Sequence, residues 1–341
     1  MKILLTGATG FIGSHIARAF VKEGLDITAL VRETSDLRFL PGKIDKIYAD
    51  IKDAQALKRA FKGFDIVIHN AALSSDWAKR EDFYEANVRG TKNVLNALKE
   101  NGIRNLVLTS TVGVLGEENS TLLKNEASPY KPRLNYVLSC IFESDLNHYR
   151  ITKTIAEKES ILFAHENKIN LTVIRPSWVY GPRETSSGPL IFSKTVKSGM
   201  RLFPFNPKAQ MSVIYVEDLA RAYLKAIKKN LTGVNIFIIS NPEPVKIKDY
   251  LGAFAKETCA EKIYFLPEFI FLIPGIFLEI IYKILRKKNA PILTRSRVKL
   301  FCCNNLYGSE KAWLELGFRA GTNLKDGARK TARWWKQNKY L

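Results

Sequence analysis

A chain of 341 residues, 46% hydrophobic and 25% charged, can bury one large core with a smaller annex and has the composition of an ordinary globular protein. Its net charge of +20 is spread along the chain instead of interleaved with aromatics, which argues against a nucleic-acid binder and leaves an anionic membrane surface to be weighed. Four cysteines, Cys140, Cys259, Cys302 and Cys303, follow neither a metal-ligand spacing nor a disulfide framework; no metal site and a reducing, cytoplasmic setting are expected.

Taken in order, Lys2 to Leu5 is an apolar run without polar alternation, as in a parallel strand buried on both faces. A strand that starts at Lys2 leaves no room for a signal peptide. Glycines follow at Gly7, Gly10 and Gly13, and a helical pattern begins near Phe11. Gly7 suits a tight turn, Gly10 a close approach of pyrophosphate to backbone, and Gly13 close packing of helix on strand. Phosphates would then meet the free N–H groups of a helix N-terminus. The loop residues Gly7, Thr9, Gly10, Phe11, Ile12 and Gly13 are therefore the expected dinucleotide contacts.

Asp26 to Val31 reads as the second strand. It ends without the acid that usually takes the ribose hydroxyls and runs into Arg32, which suits a 2′-phosphate; NADP is preferred over NAD, the competing reading being a solvated arginine. Lys46 to Ala49 is a third strand, with Asp50 and Ile51 placed to touch the adenine. Phe64 to His69 is a fourth, followed by the small residues Asn70, Ala71 and Ala72 beside the cofactor. Phe83 to Lys99 is an amphipathic helix carrying Asn87, expected to brace the active-site strand and to belong to the cofactor set. Leu106 to Thr109 and Leu171 to Pro176 complete the strands, and Thr109 and Pro176 join that set. Strands alternating with helices in this rhythm give an α/β fold, a doubly wound parallel sheet with a smaller C-terminal substrate domain. Ligands bind at the carboxyl ends of such strands, where every one of these residues falls.

Tyr149 and Lys153 lie four apart in a helical pattern, one turn from each other on the same face. A phenol is a poor base at neutral pH, but a close ammonium favours the phenolate, and the same lysine can bond the nicotinamide ribose. Thr111, after the fifth strand, can hold a substrate oxygen while Tyr149 moves its proton. Thr111, Tyr149 and Lys153 are the expected catalytic set.

Thr6-Gly7-Ala8-Thr9-Gly10-Phe11-Ile12-Gly13, His69 to Ala72, Asn87 to Thr91, Thr109 to Thr111, Tyr149…Lys153, Arg175-Pro176…Tyr180-Gly181-Pro182-Arg183 and Tyr215 to Asp218 occur in that order. Together they resemble the extended short-chain dehydrogenase/reductase family, with its NAD-dependent epimerases and dehydratases. The resemblance spans essentially the whole chain. It implies a Rossmann fold, a bound nicotinamide dinucleotide and the catalytic roles just given. Nucleotide-sugar members carry an asparagine and an arginine for the substrate diphosphate where this chain has Trp178 and Met211, an exchange that fits an apolar substrate better. The C-terminal stretch from Pro291 to Trp334 resembles the 3β-hydroxysteroid dehydrogenase and sterol-decarboxylase-like branch, and the Val31-Arg32 ending resembles dihydroflavonol-reductase relatives. A nucleotide-sugar epimerase or dehydratase with tightly bound NAD is the alternative. By analogy with the family, helices such as Phe83–Lys99 and Tyr149–Phe163 pair into a homodimer.

The expected division is a dinucleotide-binding domain over 1–180, to which 211–240 returns with strands at Met211–Tyr215 and Asn235–Ser240, and a substrate domain over 181–210 and 241–341. Glu117 to His148 is either a lid over an apolar pocket or an elaborated loop. Tyr264 to Leu285 is the most apolar stretch, but its longest uncharged piece, Phe269 to Leu278, is too short for a bilayer core of about 30 Å. With Arg286, Lys287 and Lys288 behind it, the 264–288 segment fits peripheral contact with an anionic membrane, a wall of the substrate pocket, or a subunit contact equally well.

Overall fold

In the computed structural model, residues 1–116, 122–185, 188–200, 202–204, 206, 208–258 and 263–341 are described; Cys259 and the first residues of the expected lid, 117–121, lie outside them. The elements in chain order are β1 (Lys2–Thr6), α1 (Phe11–Lys22), β2 (Asp26–Val31), β3 (Asp45–Tyr48), α2 (Ala54–Ala60), β4 (Ile66–His69), α3 (Arg80–Phe83), α4 (Gly90–Glu100), β5 (Asn105–Thr109), α5 (Asp145–Asn167), β6 (Asn170–Pro176) and β7 (Trp178–Tyr180). They continue as α6 (Gly188–Lys197), β8 (Leu202–Pro204), β9 (Gln210–Met211), β10 (Val213–Tyr215), α7 (Val216–Lys229), β11 (Val234–Ile239), β12 (Val245–Lys246), α8 (Ile247–Glu257), β13 (Tyr264–Leu266), α9 (Glu268–Ile284), α10 (Arg295–Cys302), α11 (Glu310–Leu316) and α12 (Leu324–Gln337).

Seven parallel strands form the central sheet in the order β11-β6-β5-β4-β1-β2-β3, with the topological switch between β1 and β4. Its twofold burial explains the composition of β1. Ile3 and Leu5 enter one core with Ile16, Phe20 and Tyr223 of α1 and α7, while Leu4 enters the opposite core with Leu57, Val94 and Leu98 of α2 and α4. A strand covered by helices on both faces has no polar side to show. The doubly wound sheet expected from the strand–helix rhythm is the one observed.

Two local departures matter. The helix expected over Phe83–Lys99 is interrupted by a π-helical stretch at Tyr84–Arg89 before α4 begins, which widens the turn that carries Asn87. Met211–Tyr215 does not rejoin the central sheet: β10 pairs in parallel with β7, and β9 pairs antiparallel with β12. Only β11 returns to the sheet, beside β6, while α7 packs on α1. The C-terminal region has its own core, in which Tyr180, Tyr250, Phe254 and Trp335 meet edge-on or tilted and to which Met211 also belongs. Met211 is thus core and not a pocket wall, whereas Trp178 stays half-buried. Within the tail, α11 packs back against β11 and α7, placing Ala312 and Leu316 in the core of the dinucleotide side.

Candidate active site

At the end of β1 the chain turns through Gly7, whose φ of +67° is costly for any residue with a Cβ. A Cβ there would stand 2.7 Å from the Ala71 nitrogen, and one on Gly13 only 2.1 Å from the Gly7 carbonyl oxygen. Loop, helix and the β4 end are therefore in contact with no room between them. Gly10 differs: its conformation is ordinary and an added Cβ would touch only the Gly7 oxygen, at 3.3 Å. Gly10 is exposed at the N-terminus of α1 and carries no side chain on the side from which a pyrophosphate would come. The cradle fits a dinucleotide on the shape of this chain alone. Gly13→Ala is expected to abolish NADPH binding, with at least a hundredfold loss in a fluorescence titration, while Gly42→Ala, in open space, leaves it intact.

The walls of the cradle are held by a chain of hydrogen bonds. Thr91 Oγ1 donates to the Asn87 carbonyl at 2.6 Å, so it must accept from His69 Nε2, 3.1 Å away. That fixes the His69 tautomer: Nδ1 accepts from the Thr6 hydroxyl at 2.9 Å, and Thr6 Oγ1 in turn accepts from the Ala71 N–H. Burial lowers His69 to about 3, with Lys153 repelling its proton further; burial likewise lowers His15, which meets the Pro182 carbonyl, to about 4. Both rings are neutral in the folded protein, and the unfolded chain takes up protons that the folded one refuses. Stability is therefore complete above pH 6.5 and is lost as pH falls towards these depressed values. At pH 5 the expected loss is about 2 kcal/mol for each histidine, read as the urea midpoint against pH.

Asn70 accepts from Thr109 Oγ1 at 3.1 Å and reaches the Gly7 carbonyl at 3.4 Å, so β1, β4 and β5 meet at one point. Asp50 and Ile51 follow β3; Ile51 lies against Gly90, and its carbonyl accepts from Asn93. Arg32 is exposed at the end of β2, its backbone N–H donating to Ser35 Oγ. Thr9, Phe11 and Ile12 are partly open along the loop, Ala71 and Ala72 border it, and Thr109 and Pro176 are buried where β5 and β6 end. The Asn87 side chain is 1% exposed, accepts from the Leu73 N–H at 2.8 Å and donates to the Leu73 carbonyl and Thr152 Oγ1. These bonds tie the loop after β4 to α5 beside the cradle.

Thr111 follows the end of β5, and α5 carries Tyr149 one turn before Lys153, which reaches that strand end. Lys153 is buried on α5 and its Nζ donates to the Thr109 carbonyl at 2.7 Å, tying the helix to the end of β5 two residues before Thr111. Desolvation lowers Lys153 to about 8, opposed by the attraction of Glu157. Thr111 caps the short 3-10 turn Val112–Leu115 by accepting from the Gly113 N–H at 3.1 Å, which leaves its own hydroxyl proton to donate. Tyr149 is half-buried, its ring tilted against Phe83 with centroids 6.3 Å apart. Among the described residues no group of histidine, cysteine and acidic side chains could hold a metal ion. A cleft of about 350 Å³ beside α5, lined among others by Tyr84, Arg133, His148 and Ile155, includes none of the three.

Two features were not singled out from the sequence. Arg183, at φ +74°, donates to the Thr9 and Gly10 carbonyls at 3.0 and 3.2 Å and lies over the Phe39 ring at 4.2 Å. It clamps the outward carbonyls of the glycine loop. Beneath the catalytic edge, the fully buried Glu157 receives Arg175, Tyr130 OH at 2.7 Å and the Ser110 hydroxyl. Their sequence signal was the place of Arg175 and Arg183 in the motif Arg175-Pro176…Arg183, which gives neither their partners nor their roles.

Moving a hydride needs a dinucleotide held at a sheet switch point and a proton carrier beside the reacting carbon, and this edge supplies both requirements from one protein face; the class is that of nicotinamide-dependent enzymes. The chain belongs to the NAD dependent epimerase/dehydratase family, whose model matches residues 3–239. It is similar to the 2-alkyl-3-oxoalkanoate reductase of Shewanella oneidensis, 27% identical over 96% of this chain and 84% of that protein. It is also similar to the decarboxylating sterol-4-alpha-carboxylate 3-dehydrogenase of Bos taurus, 26% identical over 96% and 90%. The fold is shared with the NAD complex of UDP-glucose 4-epimerase from Thermus thermophilus, with a TM-score of 0.74, 23% identity and 98% and 99% of the two chains covered. The protein is an enzyme of the extended short-chain dehydrogenase/reductase type, with NAD or NADP as cofactor.

Proposed function

We propose that this enzyme prefers NADP(H) and interconverts a secondary alcohol and a ketone on an apolar, lipid-like substrate. What supports the reading is the anchor of Lys153, one helical turn after Tyr149, on the Thr109 carbonyl, two residues before Thr111 in the chain. The bound nicotinamide would accept or supply the hydride. Tyr149 takes the hydroxyl proton in oxidation and returns one to the carbonyl oxygen in reduction; Thr111 donates to that oxygen and fixes its position. Lys153, anchored on the Thr109 carbonyl, keeps protons to spare for the ribose and favours the Tyr149 phenolate. Gly7, Thr9, Gly10, Phe11, Ile12 and Gly13 would hold the pyrophosphate, Asp50 and Ile51 the adenine, and Arg32 the 2′-phosphate. Trp178, half-buried, supports the apolar substrate, since by the resemblance it replaces an asparagine with which nucleotide-sugar members contact a diphosphate.

In this reading 1–180 and 216–239 form the dinucleotide side, and 181–210 with 241–341 the substrate side, apart from α11. A homodimer through α4 and α5 is the assembly the family implies. A lipid-like substrate also implies peripheral work at a membrane; among the described residues no helix is long and apolar enough to cross one. The test is a fluorescence titration with NADPH and NADH, each repeated with a 3-oxo-acyl ketone and with UDP-glucose. NADPH should bind at least tenfold tighter than NADH, Arg32→Ala should erase the difference, and only the ketone should perturb the signal. Tight NADH binding together with UDP-glucose binding would instead make the protein a nucleotide-sugar epimerase or dehydratase.

A further inference from the structure

Helix α9 is turned inside out. Of its 17 residues only Gly275 and Glu279 are buried, and the side chains of Glu279 and Lys283 turn towards the protein. Glu279 pairs with the fully buried Arg295, and Lys283 donates to Asp145 at 3.0 Å and to the Glu143 carbonyl at 3.1 Å. The outward side carries Phe269, Ile273, Phe277, Ile281 and Ile284 at successive turns, with Ile273 and Phe277 each 62% and Ile284 73% exposed. Arg295 also holds the carbonyls of Val137 and Phe142, presenting the exposed Val137, Leu138 and Ile141 next to the helix. Among the described residues, no other part of the chain gathers as many exposed large hydrophobics as these two joined segments. A stripe of this kind on a water-facing helix marks an interaction surface.

We infer that this face docks on an anionic lipid bilayer, with α9 lying flat in the headgroup layer. Charge complementarity names the occupant: Arg286, Lys287 and Lys288, all exposed, follow the last turn of the stripe in a chain of net charge +20. A second copy of the chain fits less well. The stripe spans about 25 Å by roughly 10 Å, far below the roughly 800 Å² per partner of a stable interface, and two such basic edges repel. The helix bears directly on the catalytic edge. Asp145, which holds Lys283, is one turn before Tyr149 on α5, and Trp77 in the loop after β4 donates to the Lys287 carbonyl at 3.0 Å. Docking would therefore set the catalytic edge against the layer that holds a lipid. Only this purpose rests on the function proposed above; the docking itself does not.

Flotation of the full chain with substrate-free vesicles tests it. Phosphatidylcholine vesicles containing about a third phosphatidylglycerol should carry the protein, and pure phosphatidylcholine vesicles or about 0.5 M salt should carry at least tenfold less. Ile273→Glu with Phe277→Glu should lose at least tenfold while NADPH titration is unchanged; should that pair disturb folding, Arg286→Ala/Lys287→Ala/Lys288→Ala must show the same loss. Failure of the wild type to float, equal flotation of the variants, or a lipid-free dimer by light scattering that Ile273→Glu/Phe277→Glu turns into monomer would overturn the proposal, the last by naming a second copy as occupant. Because no redox substrate is present, docking can fail with the ketone and NADPH results intact, and the reverse.

Discussion

Tyr149→Phe is expected to lower kcat about a thousandfold with the ketone that perturbs bound NADPH, and to change NADPH affinity less than threefold, since a general acid–base group contributes roughly 10²–10⁴. The substitution removes only the phenolic oxygen. The ring keeps its packing against Phe83, and the Lys153 anchor on the Thr109 carbonyl does not involve it. Lys153→Met should cost a similar factor, because a buried ammonium already lowered to about 8 acts on the reaction through the phenol as well as through the ribose. The double variant separates the two routes. If Lys153 works mainly through Tyr149, adding Lys153→Met to Tyr149→Phe lowers kcat little further, and the remaining loss appears in NADPH affinity. Retention of more than a tenth of the activity by Tyr149→Phe would remove this tyrosine from the chemistry.

How much of this was legible in the sequence follows from what each pattern encodes. The glycine loop was readable because its demands are local: Gly7 at φ +67° and Gly13 against the Gly7 carbonyl are needs of backbone a few residues apart. The inner strands of the central sheet were readable because burial on both faces removes polar residues, whereas the edge strand β3 is mostly exposed. The same signal misplaced Met211–Tyr215, since an apolar run reports burial but not which neighbour covers it, and β10 finds its partner in β7. Asn87 was visible as a polar residue on the right helix, but the π-helical widening that aims it at Leu73 leaves no mark in apolar periodicity. Arg183 illustrates the harder limit. Its partners are carbonyls of Thr9 and Gly10, far away in the chain, and backbone acceptors carry no sequence signature. For α9 the composition was plain while its orientation was not, because that depends on Arg295 and Asp145 being brought to its polar side.

The largest structural effect is expected at Glu157. With Arg175 1% exposed and Glu157 fully buried, the pair exists only because each ion's desolvation is offset by the other and by added hydrogen bonds. Tyr130 OH and the Ser110 hydroxyl supply those bonds, and Arg175 Nε makes a second contact with the carboxylate at 3.1 Å. Glu157→Gln keeps the shape but leaves the guanidinium uncompensated, so a loss of about 3–5 kcal/mol is expected, read as a lowered urea midpoint at unchanged slope. Replacing both partners, Glu157→Leu with Arg175→Leu, should recover part of it; recovery stays incomplete because Ser110 and Tyr130 lose an acceptor. The same substitution has a functional readout that a merely structural role would not move. Glu157 raises Lys153 against the desolvation that lowers it, so without the carboxylate the lysine should lose its proton below pH 8. The alkaline limb of kcat/KM governed by Lys153 should then move to lower pH in Glu157→Gln, measured at a temperature where the variant stays folded. A stability loss under about 1 kcal/mol, well short of that expected from breaking a buried ion pair, together with an unmoved alkaline limb, would show that the pair neither holds the catalytic edge nor tunes it.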